Sequence, residues 1–255
     1  MSTMGSTATG WQRVALGAAG LALFLLAWQW IGSHKLLGST WPALDTVVAY
    51  LVDPQRRELF GRALAASFRA AGLGFAIGCI AGLLFAAVAW AVPALRVGAD
   101  HTSAVIHAIP QVALAPVFII VGGPETAPVA ISALNVFFLL YVAASSGFAA
   151  TSRAHQDLFA VLGASAGVRL RRLALPAALP SIATGVKLAV PAALVGTLIG
   201  EWFGAPRGLG VLILNAMENF QIPLLWSAVL LTLCASLALY ALSGVLERAA
   251  EARYQ

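Results

Sequence analysis

The chain has 255 residues, of which 60% are hydrophobic and only 10% charged, with a formal net charge of +5. Soluble globular domains carry about 25% charged residues, so this composition, with a mean hydropathy of +0.89, excludes a water-soluble globule and implies a polytopic membrane protein. The basic residues lie between apolar segments and not in one patch, which argues against nucleic acid and for enrichment of Lys and Arg in cytoplasmic loops.

Crossing the hydrocarbon takes about 20 helical residues. The first such run is Val14–Gly32, with Arg13 before it and Trp28 and Trp30 near its far end. No small-x-small cleavage site follows directly, so a retained helix is expected over a signal peptide. The polar stretch 33–60 is expected to hold a short amphipathic helix from Pro42 to Val52, a proline being suited to a helix start. A second span, Leu64–Val92, is stopped by Pro93. At roughly 43 Å it exceeds the core and must tilt or begin among headgroups, where Arg69 would snorkel. Within it Gly74, Gly78 and Gly82 form a flat stripe that admits a neighbouring backbone.

The third span, Val105–Gly122, is interrupted by Pro110 and Pro116. Broken helices often line cavities, so these prolines mark either a pathway wall or two ordinary kinks. Ala127–Ala150 is the fourth span, Ala178–Phe203 the fifth and Leu224–Leu246 the sixth, followed by a charged, helix-favouring tail. The expectation is an all-α membrane protein, residues 1–255 forming one transmembrane domain of about six helices with a polar, basic loop at 151–180. Six spans put both termini on one side. With that side inside, the inner segments hold Arg13, Arg96, Arg153, Arg169, Arg171, Arg172, Arg248 and Arg253. The outer ones hold only Lys35, Arg56, Arg57, Arg62 and Arg207. The bias makes both termini and the 151–180 loop cytoplasmic.

Within that loop, Gln156–Leu162 can make a short helix ended by Gly163 at the left-handed position past its C-terminus. Ser165 can cap a second helix, Ala166–Arg172, which Leu175-Pro176 and Leu179-Pro180 should break before the fifth span. Leu158, Phe159, Val161 and Leu162 could insert into a partner's groove, and Arg169, Arg171 and Arg172 could meet carboxylates or anionic lipid. The alternative is a solvated basic loop.

Other chemical signals are weak. Gly163-Ala-Ser165-Ala-Gly167 matches the nucleophile-elbow spacing, but no strand precedes it and no triad converges on it. His34, His101, His107 and His155 are dispersed without metal-ligand spacing. His107 is expected to pack through a hydrogen bond. Cys79 and Cys234 sit in apolar runs and read as small buried hydrophobes. No phosphate-binding Gly-x-x-x-x-Gly-Lys-Ser/Thr loop occurs, so the chain hydrolyses no ATP through that motif. Lys187 and Glu201 bound the fifth span about 21 Å apart on a straight helix, too far to pair. Lys187 is expected to snorkel, and Glu201 to touch solute, a partner or water at the outer face.

The loop also resembles the cytoplasmic signature of permease subunits of bacterial ATP-binding-cassette importers: Glu-Ala-Ala, three residues, Gly, nine residues, Ile-x-Leu-Pro. Asp157 takes the acidic position, Leu158 and Phe159 replace the alanines, Gly163 is the glycine, and Leu173-x-Leu175-Pro176 closes the motif. The runs Leu175-Pro-Ala-Ala-Leu-Pro-Ser-Ile182, Gly185-Val-Lys187 and Gly200-Glu-Trp-Phe-Gly-Ala-Pro-Arg-Gly-Leu-Gly-Val-Leu-Ile213 are similar to the nitrate, sulfonate and taurine branch.

The resemblance implies a type I importer permease in a bacterial inner membrane. It would be paired with a second copy, clasped at the loop by an ATPase dimer, and served by an extracytoplasmic solute-binding protein. ATP and Mg would lie on the ATPase, no cofactor or metal on this chain. Asp157, Leu158, Phe159, Gly163, Arg169, Leu173, Leu175 and Pro176 become coupling residues. Pro110, Pro116 and Glu201 are candidates for the pathway. The solute expected is sulfonate-, taurine- or nitrate-like, or a pyrimidine vitamin precursor. A stand-alone secondary transporter or channel, which would need no ATPase, is the alternative; an intramembrane enzyme lacks converging catalytic groups.

Overall fold

A computed structural model describes residues 10–254. The first helix, α1 (Gly10–Ser33), is followed by a short turn and α2 (Leu44–Val52), then by α3 (Arg57–Ala91), α4 (Pro93–Ala108), α5 (Gln111–Gly122) and α6 (Thr126–Ala149). Two short helices, α7 (Arg153–Val161) and α8 (Ala166–Arg169), precede a π-helical turn at Leu170–Ala174. The long α9 (Leu175–Glu201), α10 (Leu209–Glu218) and α11 (Ile222–Tyr254) complete the chain. No strand occurs among the described residues.

Glycines position the central helices. Side-chain carbons added at Gly74, Gly78 and Gly82 would run into Ser132, Ala133 and Phe137 in that order, so the stripe on α3 lies flat against α6. Because both sets of numbers rise together, the two helices are parallel. On the other face of α6 the order reverses. Gly147 meets Ala178, Gly185 meets Ala143 and Gly200 meets Pro128, so α9 is antiparallel to α6. Backbones this close gain dispersion contacts without needing large side chains.

Parallel α3 and α6 decide what lies between them. Ala91 is about 26 Å beyond Gly74 along α3, and the chain must travel back before α6 starts. It does so through α4 and α5, bent by 91° at their junction. Five described helical stretches are long and apolar enough to cross a membrane; counted as one span, the bent pair brings the number to six. The break falls at Ile109–Pro110, while Pro116 stays inside α5. The expected third span was thus interrupted once and not twice. It also begins earlier than expected: α4 carries Arg96, Asp100 and His101, which mask it in an apolar count.

The molecule therefore has two polar ends. One carries α7, α8, the start of α4 and the end of α11; here it is termed the loop face. The opposite end, the pocket face, carries α2, Glu125, the end of α9, α10 and the start of α11. There the rings of Trp28, Trp41 and Trp226 pack together, Trp41 and Trp226 with centroids 4.7 Å apart. Trp28 Nε1 donates to the Pro42 carbonyl and Trp226 Nε1 to that of Thr40, pinning α1 and α11 to the connecting turn.

Three further expectations change. The helix expected from Pro42 starts at Leu44. Leu175-Pro176 and Leu179-Pro180 do not break the chain, which runs helically from Ala166 to Glu201. Pro176 falls in the first turn of α9 and Pro180 one turn on. The lost hydrogen bond is offset by packing of Ala178 and Ser181 against Gly147 of α6. Lys187, expected to snorkel to the interface, meets a protein carboxylate just past the end of the last span. It bridges α9 to α11 by an ion pair with Glu247 at 2.6 Å, and Tyr240 lies beside its ammonium.

Candidate functional site

On the loop face, Ser152 caps α7 by accepting from the His155 amide, and Ser165 caps α8 by accepting from that of Val168. Gly163, at φ +69°, turns the chain between them in a conformation that side chains disfavour. α8 ends at Arg169, shorter than the expected Ala166–Arg172, because the π turn takes over at Leu170. α7 and the residue that ends it present apolar groups to solvent: Leu158 is 53% exposed, Val161 85% and Leu162 72%. Asp157 is also exposed and Phe159 half-buried. Arg169, Leu173 and Pro176 are half-buried and Leu175 is exposed, so the candidate loop residues split between an outer rim and a seat against the spans.

On the pocket face, the start of α10 lacks a local cap, since Gly208 has no side chain. Its first free amides are satisfied by other helices. Ser67 of α3 accepts from the Leu209 N–H at 2.8 Å and donates to Glu201 Oε1 at 2.7 Å. Glu201 Oε2 accepts from the Gly210 N–H at 2.7 Å. Glu201 is only 2% exposed and holds three helices together. Side-chain carbons at Gly208 or Gly210 would collide with its carboxyl group. This same region borders a cavity of about 520 Å³ whose charged lining comprises Arg69, Glu125, Glu201 and Arg207. Neither Arg69 nor Arg207 forms an ion pair among the described residues.

Between the faces, the α4–α5 break carries a polar cluster. Gln111, just past Pro110, and Asn135 of α6 form a reciprocal amide pair, Asn135 Nδ2 donating to Gln111 Oε1 at 3.0 Å. His107 stacks on Phe138 with centroids 3.8 Å apart, a packing role met by ring contact in place of the expected hydrogen bond. Pro110 and Pro116 are both exposed. Sequence reasoning did not find Ser67, Gln111, Asn135 or the Lys187–Glu247 bridge. Ser67 and Glu201 are 134 residues apart, a separation no local motif spans. The isolated amides in apolar runs were the one available signal.

Residues 58–255 match the family described as the binding-protein-dependent transport system inner membrane component. The chain belongs to this permease family. The permease is 30% identical, over 80% of its length and 82% of the relative's, to the formylaminopyrimidine transport permease protein ThiX of Halalkalibacterium halodurans. It is 28% identical to the putative aliphatic sulfonates transport permease protein SsuC of Bacillus subtilis, over 78% and 73% of the two chains. Its fold resembles a crystal structure of an amino acid ABC transporter with histidines: TM-score 0.56, 19% identity, 76% of this permease and 95% of that chain. The all-α permease architecture, five helices of spanning length and the bent α4–α5 pair, accords with these likenesses. Among the described residues no group of His, Cys, Asp or Glu could hold a metal ion.

Proposed function

We propose that this permease is the membrane half of an ATP-driven importer, in which a separate ATPase dimer docks on α7, Gly163 and α8. The observation that carries the reading is the exposed Leu158, Val161 and Leu162 on a capped helix that is tied back to the spans by Leu173 and Pro176. Apolar groups held rigidly in water favour burial in a partner's groove. Asp157 and Phe159 frame that rim, Leu175 lies at its base, and Arg169 ends α8 half-buried beneath it. Two copies of the chain form the pathway, and both termini lie in the cytoplasm of a bacterial cell whose inner membrane the protein spans.

Solute arrives from an extracytoplasmic binding protein at the pocket face, beside Glu201. It passes the α4–α5 break, where Pro110 frees backbone groups next to the Gln111–Asn135 pair and Pro116 keeps α5 adjustable. The solute class is that of the named relatives' cargo, a small sulfonate- or pyrimidine-like molecule, with the zwitterionic sulfonate taurine and the anion nitrate as further members. Uptake into reconstituted vesicles tests the proposal: it should require the ATPase, ATP and binding protein together. Uptake by this chain alone, without ATP, would overturn the proposal in favour of a secondary transporter. Deleting 157–163 should abolish ATPase co-purification while leaving membrane insertion intact; unchanged co-purification removes the docking role.

A further inference from the structure

A second cavity, of about 410 Å³, opens on the loop face where α3 ends, α4 begins and α6 meets α7 and α8. Its lining includes two arginines, Arg96 and Arg169, together with Trp90, Ser145 and Gln156, and no acidic residue. Neither arginine forms an ion pair among the described residues. The Arg169 Nε–H is buried and has no hydrogen-bond partner, an arrangement that leaves a cationic donor unsatisfied unless an acceptor enters. Gln156 Nε2 is already used, donating to the Thr151 carbonyl at 3.2 Å. The carboxylate nearest in sequence, Asp100 one turn along α4 from Arg96, accepts the Tyr141 hydroxyl at 2.6 Å. Pro93 and Arg96, in the first turn of α4, also line the cavity, which adds the positive end of a 16-residue helix.

The surroundings fix the depth. The apolar α3 span ends at Ala91, and just outside the cavity Val88, Val92, Leu95 and Val97 expose their side chains. Trp90 sits at the same level, as aromatic side chains do at headgroup depth. Two guanidinium groups and a helix N-terminus at that depth match an oxyanion with several acceptor oxygens.

We infer that this cavity is a binding site for a phosphate group, held by Arg96 and Arg169 and supplied by an anionic phospholipid of the loop-face leaflet. The site adjoins the surface proposed to contact the ATPase, sharing Gln156 of α7 and Arg169 of α8 with that loop, but its lining leaves out the exposed Leu158, Val161 and Leu162. Bound phosphodiester would tie α8 to the start of α4 and so brace the base of the loop.

The full-length chain, purified in detergent, can be titrated with phosphatidylglycerol or phosphatidylcholine and its retained lipids counted by native mass spectrometry. Wild-type protein should retain phosphatidylglycerol preferentially, and Arg96→Gln with Arg169→Gln should lower that preference about tenfold, as loss of charge-assisted hydrogen bonds implies. Arg171→Gln with Arg172→Gln, on the exposed side of the same segment, should leave it unchanged. Equal retention of the two lipids by the wild type overturns the proposal and needs no variant. An equal loss in both double variants also overturns it, as general attraction to a basic surface. Displacement of phosphatidylglycerol by millimolar inorganic phosphate upholds the phosphate site, and phosphate binding without lipid preference assigns it to the free ion. Loss of ATPase co-purification in Arg96→Gln/Arg169→Gln with lipid retention unchanged would assign the cavity to the partner protein and sink the proposal.

Discussion

Glu201 shows how a single residue acquires a role through its surroundings. A carboxyl group taken out of water costs several kcal/mol unless its oxygens are hydrogen-bonded, and here Ser67 and the Gly210 amide supply those bonds. Glu201→Ala leaves two buried donors without acceptors and should lower stability by about 3 kcal/mol; Glu201→Gln keeps one acceptor and should cost about 1 kcal/mol. Thermal unfolding in detergent measures both, and equal losses would show that the hydrogen bonds carry little of the effect. Gly208→Ala should be at least as damaging as Glu201→Ala. Its φ of +151° is strained for alanine, and the new carbon would strike the Glu201 carboxyl group. The sequence marked Glu201 as an ionisable group ending an apolar run. That it caps another helix was not legible, because its partner Ser67 lies on a distant segment.

At the scale of elements, small residues and one ion pair hold the spans together. Gly78 faces Ala133 and Val136 of α6, whereas Gly72 on the same helix meets nothing within 4 Å. Gly78→Leu should therefore destabilise the fold by about 2–3 kcal/mol through overpacking, and Gly72→Leu should be close to neutral. The glycine spacing announced this stripe, and only the structure shows that α6 fills it. Between α9 and α11, the hydrogen bond from Lys187 holds the Glu247 carboxyl below its ordinary value of 4.5. A depressed carboxylate contributes stability that is fully present above that value and is lost as pH falls through the folded-state one. The melting temperature of the wild type should accordingly fall more than that of Glu247→Gln when pH drops below 4.5. Parallel pH curves would mean that the pair adds nothing to stability.

For the whole molecule, the decisive feature is the parallel arrangement of α3 and α6, which obliges the bent α4–α5 pair to recross the membrane. Leu95 and Pro124 are exposed at opposite ends of that pair. Single cysteines placed there, in a chain freed of Cys79 and Cys234, should react with a membrane-impermeant maleimide from opposite sides. Labelling from one side would make the pair a re-entrant loop and leave five crossings.

Composition and periodicity alone determined that the chain is helical, spans a membrane about six times and carries a capped, glycine-hinged loop at 151–180. These properties depend on local free energies: transfer of apolar runs, capping by Ser152 and Ser165, and the freedom of Gly163. Only the tertiary structure decided that Lys187 meets Glu247, that Ser67 and Glu201 cap α10, and that Arg96 and Arg169 line one cavity. Each of these joins residues from different helices. Their proximity follows from how glycine-lined helices pack in three dimensions, which no spacing along the chain encodes.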